Sequence, residues 1–415
     1  MKKSLIAVAA LAAVSAASAQ SSVTLYGVID IGYASQKTES RNGTQVKSVG
    51  LTDGTLAGNR IGFRGTEDLG GGLKANFVIE QGFSPTSGSA LAQRFGSAGN
   101  AGLTAAGAPT FTNQAGAIPG GQSGFTTSTN RQSYVGLSSA SMGTVNIGYQ
   151  YTNLYELGTL SGYNVGSEGT AGSFVHTYLQ EFLGGTRANG VTYVSPDFGG
   201  GFTVRAQYGA SGRALGGAAL GGTIAGQDKV NGTANGANFE NAGRRYSLMG
   251  QYKNGPLSAA IAYTSLRSTA SGVAAAAALG GTGSQTNNLT QLGASYDFGV
   301  AKLSGTYNYG KVGAIGVNPD ANGRAYQVGV AVPFGAIVPF ISYGRGRADQ
   351  GGSRVQDIKQ SQVGVRYSMS KRTTAYAIYG VTKDDGSAAS VVAPVASGGI
   401  VSRDSKAVFG VNHSF

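Results

Sequence analysis

The sequence predicts an all-β fold: a sixteen-stranded antiparallel transmembrane β-barrel. Three observations carry that reading. Segments of about ten residues alternate between apolar and small or polar side chains along nearly the whole chain. The connections between them alternate between short and long. The last segment, Ser405 to Phe415, alternates to its end and stops on an aromatic side chain.

The strands follow from the alternation. Ser22 to Ala34 places Val23, Leu25, Ile29, Ile31 and Tyr33 on one face, and Thr24, Tyr26 and Asp30 on the other. Phe202, Val204, Ala206 and Tyr208 likewise oppose Thr203, Arg205 and Gln207. Tyr246, Leu248 and Tyr252 oppose Arg245, Ser247 and Gln251, and Val363, Val365 and Tyr367 oppose Gln362, Gly364 and Arg366. Arginine and lysine thus fall on the polar face, which is solvent in a sandwich and lumen in a barrel. Alone, each segment fits a sandwich strand; together, their length and Tyr-rich ends favour a barrel. The sixteen lie at 23–34, 59–67, 72–83, 130–139, 143–151, 188–196, 200–210, 243–253, 256–268, 287–298, 301–311, 322–333, 336–347, 358–369, 373–384 and 405–415.

Short connections read EDLGG, SSASM, SPDFG, KNGP, DFGV, PFGA and MSKR, most of them rich in the Gly, Pro, Asp and Asn that tight turns demand. Long ones occupy 35–58, 84–129, 153–187, 211–242, 269–286, 312–321, 348–357 and 385–404. An up-and-down barrel with compact turns on one side and large loops on the other has this pattern. An even strand count brings both termini to the side of the short turns. Sixteen strands enclose an aqueous channel rather than a packed core.

At the start, Lys2 and Lys3 precede an apolar run from Leu5 to Val14 and the small residues Ala17-Ser18-Ala19. This pattern predicts a signal peptide over 1–19 and a barrel domain over 20–415. The run is short of the ~20 residues that a helical span needs. Cys is absent, so strand pairing rather than disulfides must hold the fold. Charged residues are only 12%, too few for a disordered polyelectrolyte. Without Lys2 and Lys3, 29 basic residues face 19 acidic ones, a charge of +10. Nucleic acid, an anionic lipid surface and an anion-attracting pore would each suit that basicity. The basic residues are scattered singly, which disfavours nucleic acid.

Catalytic chemistry finds no footing. A serine nucleophile needs a base beside it, and the only histidines are His176 and His413. No Cys/His cluster has metal spacing, and GGAALGG lacks the strand–helix context of a phosphate loop. No metal site or cofactor is predicted. Glu67–Asp68 and Asp384–Asp385 sit at strand ends, where turn roles suit them.

RIGFRGTEDLGGGLKANFVIEQGF (60–83), NRQSYVGLSSASMGTVNIGYQY (130–151), SVTLYGVIDIGY (22–33) and the terminal VNHSF resemble the general diffusion porins of Gram-negative bacteria, the beta-proteobacterial branch in particular. The resemblance covers nearly all of the mature chain. It implies an outer-membrane homotrimer among lipids and lipopolysaccharide, with the third long loop, 153–187, folded into the lumen. It also implies that Phe415 is an assembly signal for the barrel assembly machinery. In such porins, basic wall residues face loop carboxylates across the narrowest point. Arg60 in RIGFRG, Arg131 in NRQSYVGL and Arg187 before the sixth strand occupy the wall positions, with Arg64 and Arg205 added by alternation. The alternative for each is a solvated charge at a strand end. Glu156, Glu168 and Glu181 are the loop acids. QEFLGG (180–185) resembles the enteric loop-tip motif with Gln180 in place of proline, and Tyr149 stands where the family often has an arginine. Asp30 and Glu80 fall on lumen faces, either as pore charges or as ion-paired wall residues. The 84–129 loop is longer and richer in Ala, Gly and Ser than the resemblance leads one to expect. The expected function is passive diffusion of small hydrophilic solutes with mild anion preference. A substrate-specific channel and a barrel-anchored adhesin are the alternatives.

Overall fold

In a computed structural model, residues 22–40, 43, 45–86, 98–103, 109–113, 130–160, 187–209, 244–270, 283–313, 320–385 and 401–415 are described. Each of the sixteen alternating segments lies in a strand. The strands are β1 (Ser22–Ser40), β2 (Gln45–Asp53), β3 (Arg60–Gly70), β4 (Leu73–Gly82), β5 (Ala98–Leu103), β6 (Pro109–Asn113), β7 (Asn130–Ser139), β8 (Gly143–Tyr151), β9 (Arg187–Val194) and β10 (Phe202–Gly209). They continue as β11 (Arg244–Asn254), β12 (Leu257–Ala270), β13 (Gly283–Asp297), β14 (Lys302–Val312), β15 (Ala321–Ala331), β16 (Ile337–Gln350), β17 (Ser353–Ser368), β18 (Thr373–Asp384) and β19 (Val401–Ser414). A short helix, α1 (Asn153–Leu160), follows β8.

All but β5 and β6, which form a separate hairpin, join one antiparallel sheet. β1 pairs with β2 through Ile31–Glu39 and with β3 through Ser22–Val28, so β2 and β3 are two halves of one stave. The sheet therefore has sixteen staves. It closes where β19 pairs with both β18 and β1, with Ile31 opposite Val411 and Tyr33 opposite Phe409. At the end of that seam Phe415 and Gly27 exchange two backbone hydrogen bonds of 3.1 Å. Among the described residues closure leaves the wall without a free edge except along β2, which pairs with β1 alone; a sheet in hydrocarbon requires such closure.

The polarity of a soluble protein is inverted. Val23, Leu25, Leu248, Ile261, Ile341 and Val363 point outward and are each more than half exposed. Ser247, Thr264, Gln291, Asn308, Gln327 and Gln362 point inward and are buried. Tyr208, Tyr246, Tyr263, Tyr326 and Tyr343 stand outward toward the long-loop ends, and Phe202, Tyr296 and Tyr367 toward the short turns. These are the two aromatic girdles that flank an apolar band in a membrane barrel.

Two connections are much shorter than the alternation predicts, while 269–286 and 385–404 lose only a few residues to β12, β13 and β19. Within 35–58, β1 runs on to Ser40 and β2 pairs back along it. The 348–357 stretch is not a loop: β16 and β17 continue into it and meet at Gly351–Gly352, whose φ values of 55° and 81° suit glycine. The outward residues there include Asp349 and Asp357, next to Arg345 and Arg347 just before the stretch. Above the girdle an outward position meets water and headgroups, so the apolar half of the alternation disappears while the ladder continues. The signal peptide over 1–19 lies outside the described residues, as does His176.

Candidate functional site

The inner wall of β1, β3, β4 and β7–β10 holds the residues singled out above. Glu80, on the lumen face of β4, is their centre. Arg131 Nε donates to its Oε1 at 2.7 Å, and Arg60 Nε lies 3.7 Å from its Oε2. Tyr26 and Tyr151 each donate a phenolic hydrogen to the same carboxylate, at 3.1 and 3.2 Å. Arg131 Nη2 also donates to the Tyr151 hydroxyl at 2.9 Å. A carboxylate buried this deeply is tolerable only because cations and hydroxyls surround it.

Arg131 reaches Glu80 through a backbone irregularity. Strict alternation with Val135 and Leu137, which are 59% and 50% exposed, would send Arg131 outward. The β4–β7 register shifts between Glu80 and Gln81, so Gln132 faces Glu80 while Asn130 faces Gln81. Arg131 is the extra residue, and the bulge turns its side chain inward.

Around this centre the other candidates form one continuous chain of contacts. The Arg64 guanidinium lies over the Tyr26 ring at 5.2 Å, and Arg187 lies over the Tyr151 ring at 5.0 Å. Both are cation–π contacts. Tyr151 stacks on Tyr155 of α1 with ring centroids 3.9 Å apart. Arg205 donates from Nη2 to the Tyr151 carbonyl at 2.7 Å and from Nη1 to Glu156 of α1 at 3.1 Å. All five candidate arginines and Glu156 thus belong to one network. Glu168 and Glu181 lie outside the described residues.

The opening of the 153–187 connection does fold inward. Asn153 donates from its backbone to Gln207 at 2.9 Å and from its side chain to Ser247 at 2.9 Å, which ties α1 to the β10–β11 wall. Leu157, fully buried, packs on Met249, Ala260 and Ala262. The two alanines leave the wall hollow enough to take it. Glu156 sits in the first turn of α1, where the helix dipole favours a negative charge.

Some side chains of this network were not candidates. Tyr26 and Tyr151 are as central as the arginines; Tyr26 alternates onto the polar face, whereas Tyr151 turns inward only at its strand end. Arg245 and Arg366 also face inward, as their alternation indicated, and Arg366 lies over the Phe340 ring at 5.5 Å. Asp30 is no pore charge: its carboxylate is buried and binds backbone and side-chain donors. Among the described residues no group of acids, His or Cys could hold a metal ion.

Comparison with known proteins agrees with this geometry. A family model described as Gram-negative porin matches residues 7–387. Outer membrane porin protein 32 of Delftia acidovorans is 30% identical over 430 residues, covering 100% of both chains. An outer membrane porin protein of Bordetella pertussis is 28% identical over 419 residues, covering 91% of this chain and 93% of its own. The solved anion-selective porin from Comamonas acidovorans is 26% identical with a TM-score of 0.62, covering 95% of this chain and 100% of that one. A match over nearly the full sequence, on a barrel that is apolar outside and polar within, places the chain in the Gram-negative porin family, the water-filled outer-membrane channels through which small hydrophilic solutes diffuse.

Proposed function

We propose that the channel prefers anions and that its narrowest region is the arginine network. The carrying observation is the imbalance of charge there: Arg60, Arg64, Arg131, Arg187 and Arg205 stand against Glu80 and Glu156 among the described residues. Among the described residues Arg64 and Arg187 are held over tyrosine rings rather than on carboxylates, so their charge acts on the solution. In a narrow lumen screening is incomplete, since the Debye length is ~10 Å at 0.1 M salt. A relative described as anion-selective supports the same reading. Under a KCl gradient across a planar bilayer, the zero-current potential should show a chloride-over-potassium permeability ratio above one. Arg64→Gln with Arg187→Gln should bring the ratio toward one, and a cation-preferring wild type would overturn the proposal.

The same reading assigns 1–19 as a cleaved signal peptide, 20–415 as the barrel domain, and Phe415 as the residue read by the barrel assembly machinery. It also assigns a homotrimer surrounded by lipopolysaccharide. Supporting this, outward basic residues cluster on one arc of the long-loop rim: Arg267, Lys311, Arg324, Arg345, Lys359 and Lys383. Arg345 grips Asp357 in a two-pronged pair at 2.8 and 2.7 Å, and that hydrogen bond holds the Asp357 carboxyl below its usual range. Anionic headgroups suit such a rim. The outward faces of β4 and β7–β10 carry no lysine or arginine at that level, which suits contact with another protomer.

A further inference from the structure

We propose that the segment 54–59, pinned by Asp30, is a positioning element that sets the attitude of Arg60 and Arg131 and thereby the ion selectivity of the channel; this rests on the arginine-network reading above. The second stave is interrupted here. β2 pairs with β1 down to Ile31 and β3 takes over at Val28, so six residues bridge a gap of only Ile29 and Asp30 on the ladder. The surplus has to leave the wall, and it leaves inward. Thr55 and Asn59 are buried, and Leu56 packs on the lumenal cluster of Ala34, Phe340, Tyr376, Ile378 and Val408.

Every polar atom of Asp30 is hydrogen-bonded, three of the four to this inward turn. Its Oδ2 accepts from the Leu56 and Ala57 amides at 2.7 and 2.9 Å and from Asn412 Nδ2 at 3.0 Å. Its Oδ1 accepts from the Tyr376 hydroxyl at 2.6 Å. The Asp30 amide donates to Asn59 Oδ1 at 2.5 Å, and its carbonyl accepts from the Gly54 amide at 2.8 Å. Asp53, at the entry to the turn, accepts from Ser84 and Thr86. A six-residue excursion tied at this many points is a fixed part of the wall rather than a waving loop.

What it presents to the lumen is Gly58, between the two arginines. The Gly58 carbonyl accepts from Arg60 Nη1 at 3.1 Å. On the other side Arg131 Nη1 comes so near that a Cβ built on Gly58 would lie 2.6 Å from it. Glycine is needed there for close approach rather than for an unusual backbone angle. Arg131 is thus wedged between Glu80 and the Gly58 backbone, and Arg60 divides its guanidinium between Glu80 at 3.7 Å and the Gly58 carbonyl at 3.1 Å.

The test is the chloride-over-potassium permeability ratio of purified channels in planar bilayers, for wild type, Gly58→Ala, Asp30→Asn and the pair Arg60→Gln/Arg131→Gln. Gly58→Ala changes no charge, and its methyl meets the flexible end of Arg131, which must swing away. Its ratio should fall by about twofold, with trimer yield unchanged. Asp30→Asn separates two roles by sign. As a mere lumen charge, its removal makes the pore more positive and raises the ratio; as a positioning residue, its loss lowers it. Wild-type ratios in Gly58→Ala, or a raised ratio in Asp30→Asn, overturn the inference while leaving the arginine reading intact. An unchanged ratio in Arg60→Gln/Arg131→Gln overturns that reading and the inference with it. Should Asp30→Asn fail to assemble, Gly58→Ala decides alone, because it leaves every Asp30 bond in place.

Discussion

Gly27 and Phe415 meet at the seam, and their fit is tight enough to be tested residue by residue. They exchange two backbone hydrogen bonds, and a Cβ on Gly27 would overlap the Phe415 ring. Gly27→Val should therefore overpack the seam at a cost of about 1–3 kcal/mol. Thermal unfolding of protein refolded in detergent would show it as a lowered midpoint. Adding Phe415→Ala should restore only part of the loss, since the same Cβ also meets the Arg60 backbone carbonyl at 2.7 Å; a midpoint unchanged from wild type in Gly27→Val would refute the steric account. At this scale the sequence was informative where chemistry and alternation agree. Arg60, Arg64 and Arg205 sit on polar faces and were legible as lumen residues. Arg131 was legible only through its family motif, because the bulge that turns it inward leaves no mark in the period. Asp30 and Glu80 were placed on the right face, but alternation gives a side chain's direction and not its partners. It therefore could not separate the carboxylate that anchors 54–59 from the one that gathers arginines.

Among the elements, α1 carries the clearest consequence for conductance. Its buried Leu157 against Met249, Ala260 and Ala262 is its apolar anchor, and Asn153 with the Arg205–Glu156 pair supplies the polar ones. Eight residues make too short a helix to persist by propensity alone, so tertiary contacts hold it. Leu157→Asp places a charge in that pocket and should release the helix from the wall. Single-channel conductance in 1 M KCl should then change by a measurable step, rising if α1 narrows the lumen as placed here; an unaltered value would remove α1 from the permeation path. All sixteen strands were readable from a period of two, because one side of each faces hydrocarbon and the other water. The extensions of β1, β16 and β17 were not, since both sides are wet above the girdle and Asp349 and Asp357 read as loop. β2 was missed for the same reason: Val46 and Val49, three residues apart, are both exposed.

For the molecule as a whole, the outer circumference is divided. One arc carries outward lysine and arginine at the rim and the other, across β4 and β7–β10, carries none. If the bare arc is the subunit contact, crosslinking maps it cleanly, because the chain has no native cysteine. Cysteines at Val135 or Ile147, near the middle of that arc, should give covalent oligomers on oxidation in membranes. Cysteines at Ile341 or Val363, on the basic arc, should stay monomeric on a denaturing gel. The reverse pattern would move the interface to the other side of the barrel.

The seam also has a bearing on time. Ile31 and its partner Val411 are made at opposite ends of translation, and at the usual rate of chain growth that interval is on the order of tens of seconds. Throughout it, the residues of β1 have no β19 to pair with. A barrel closed by its first and last strands therefore cannot complete its wall until nearly the whole chain has been made.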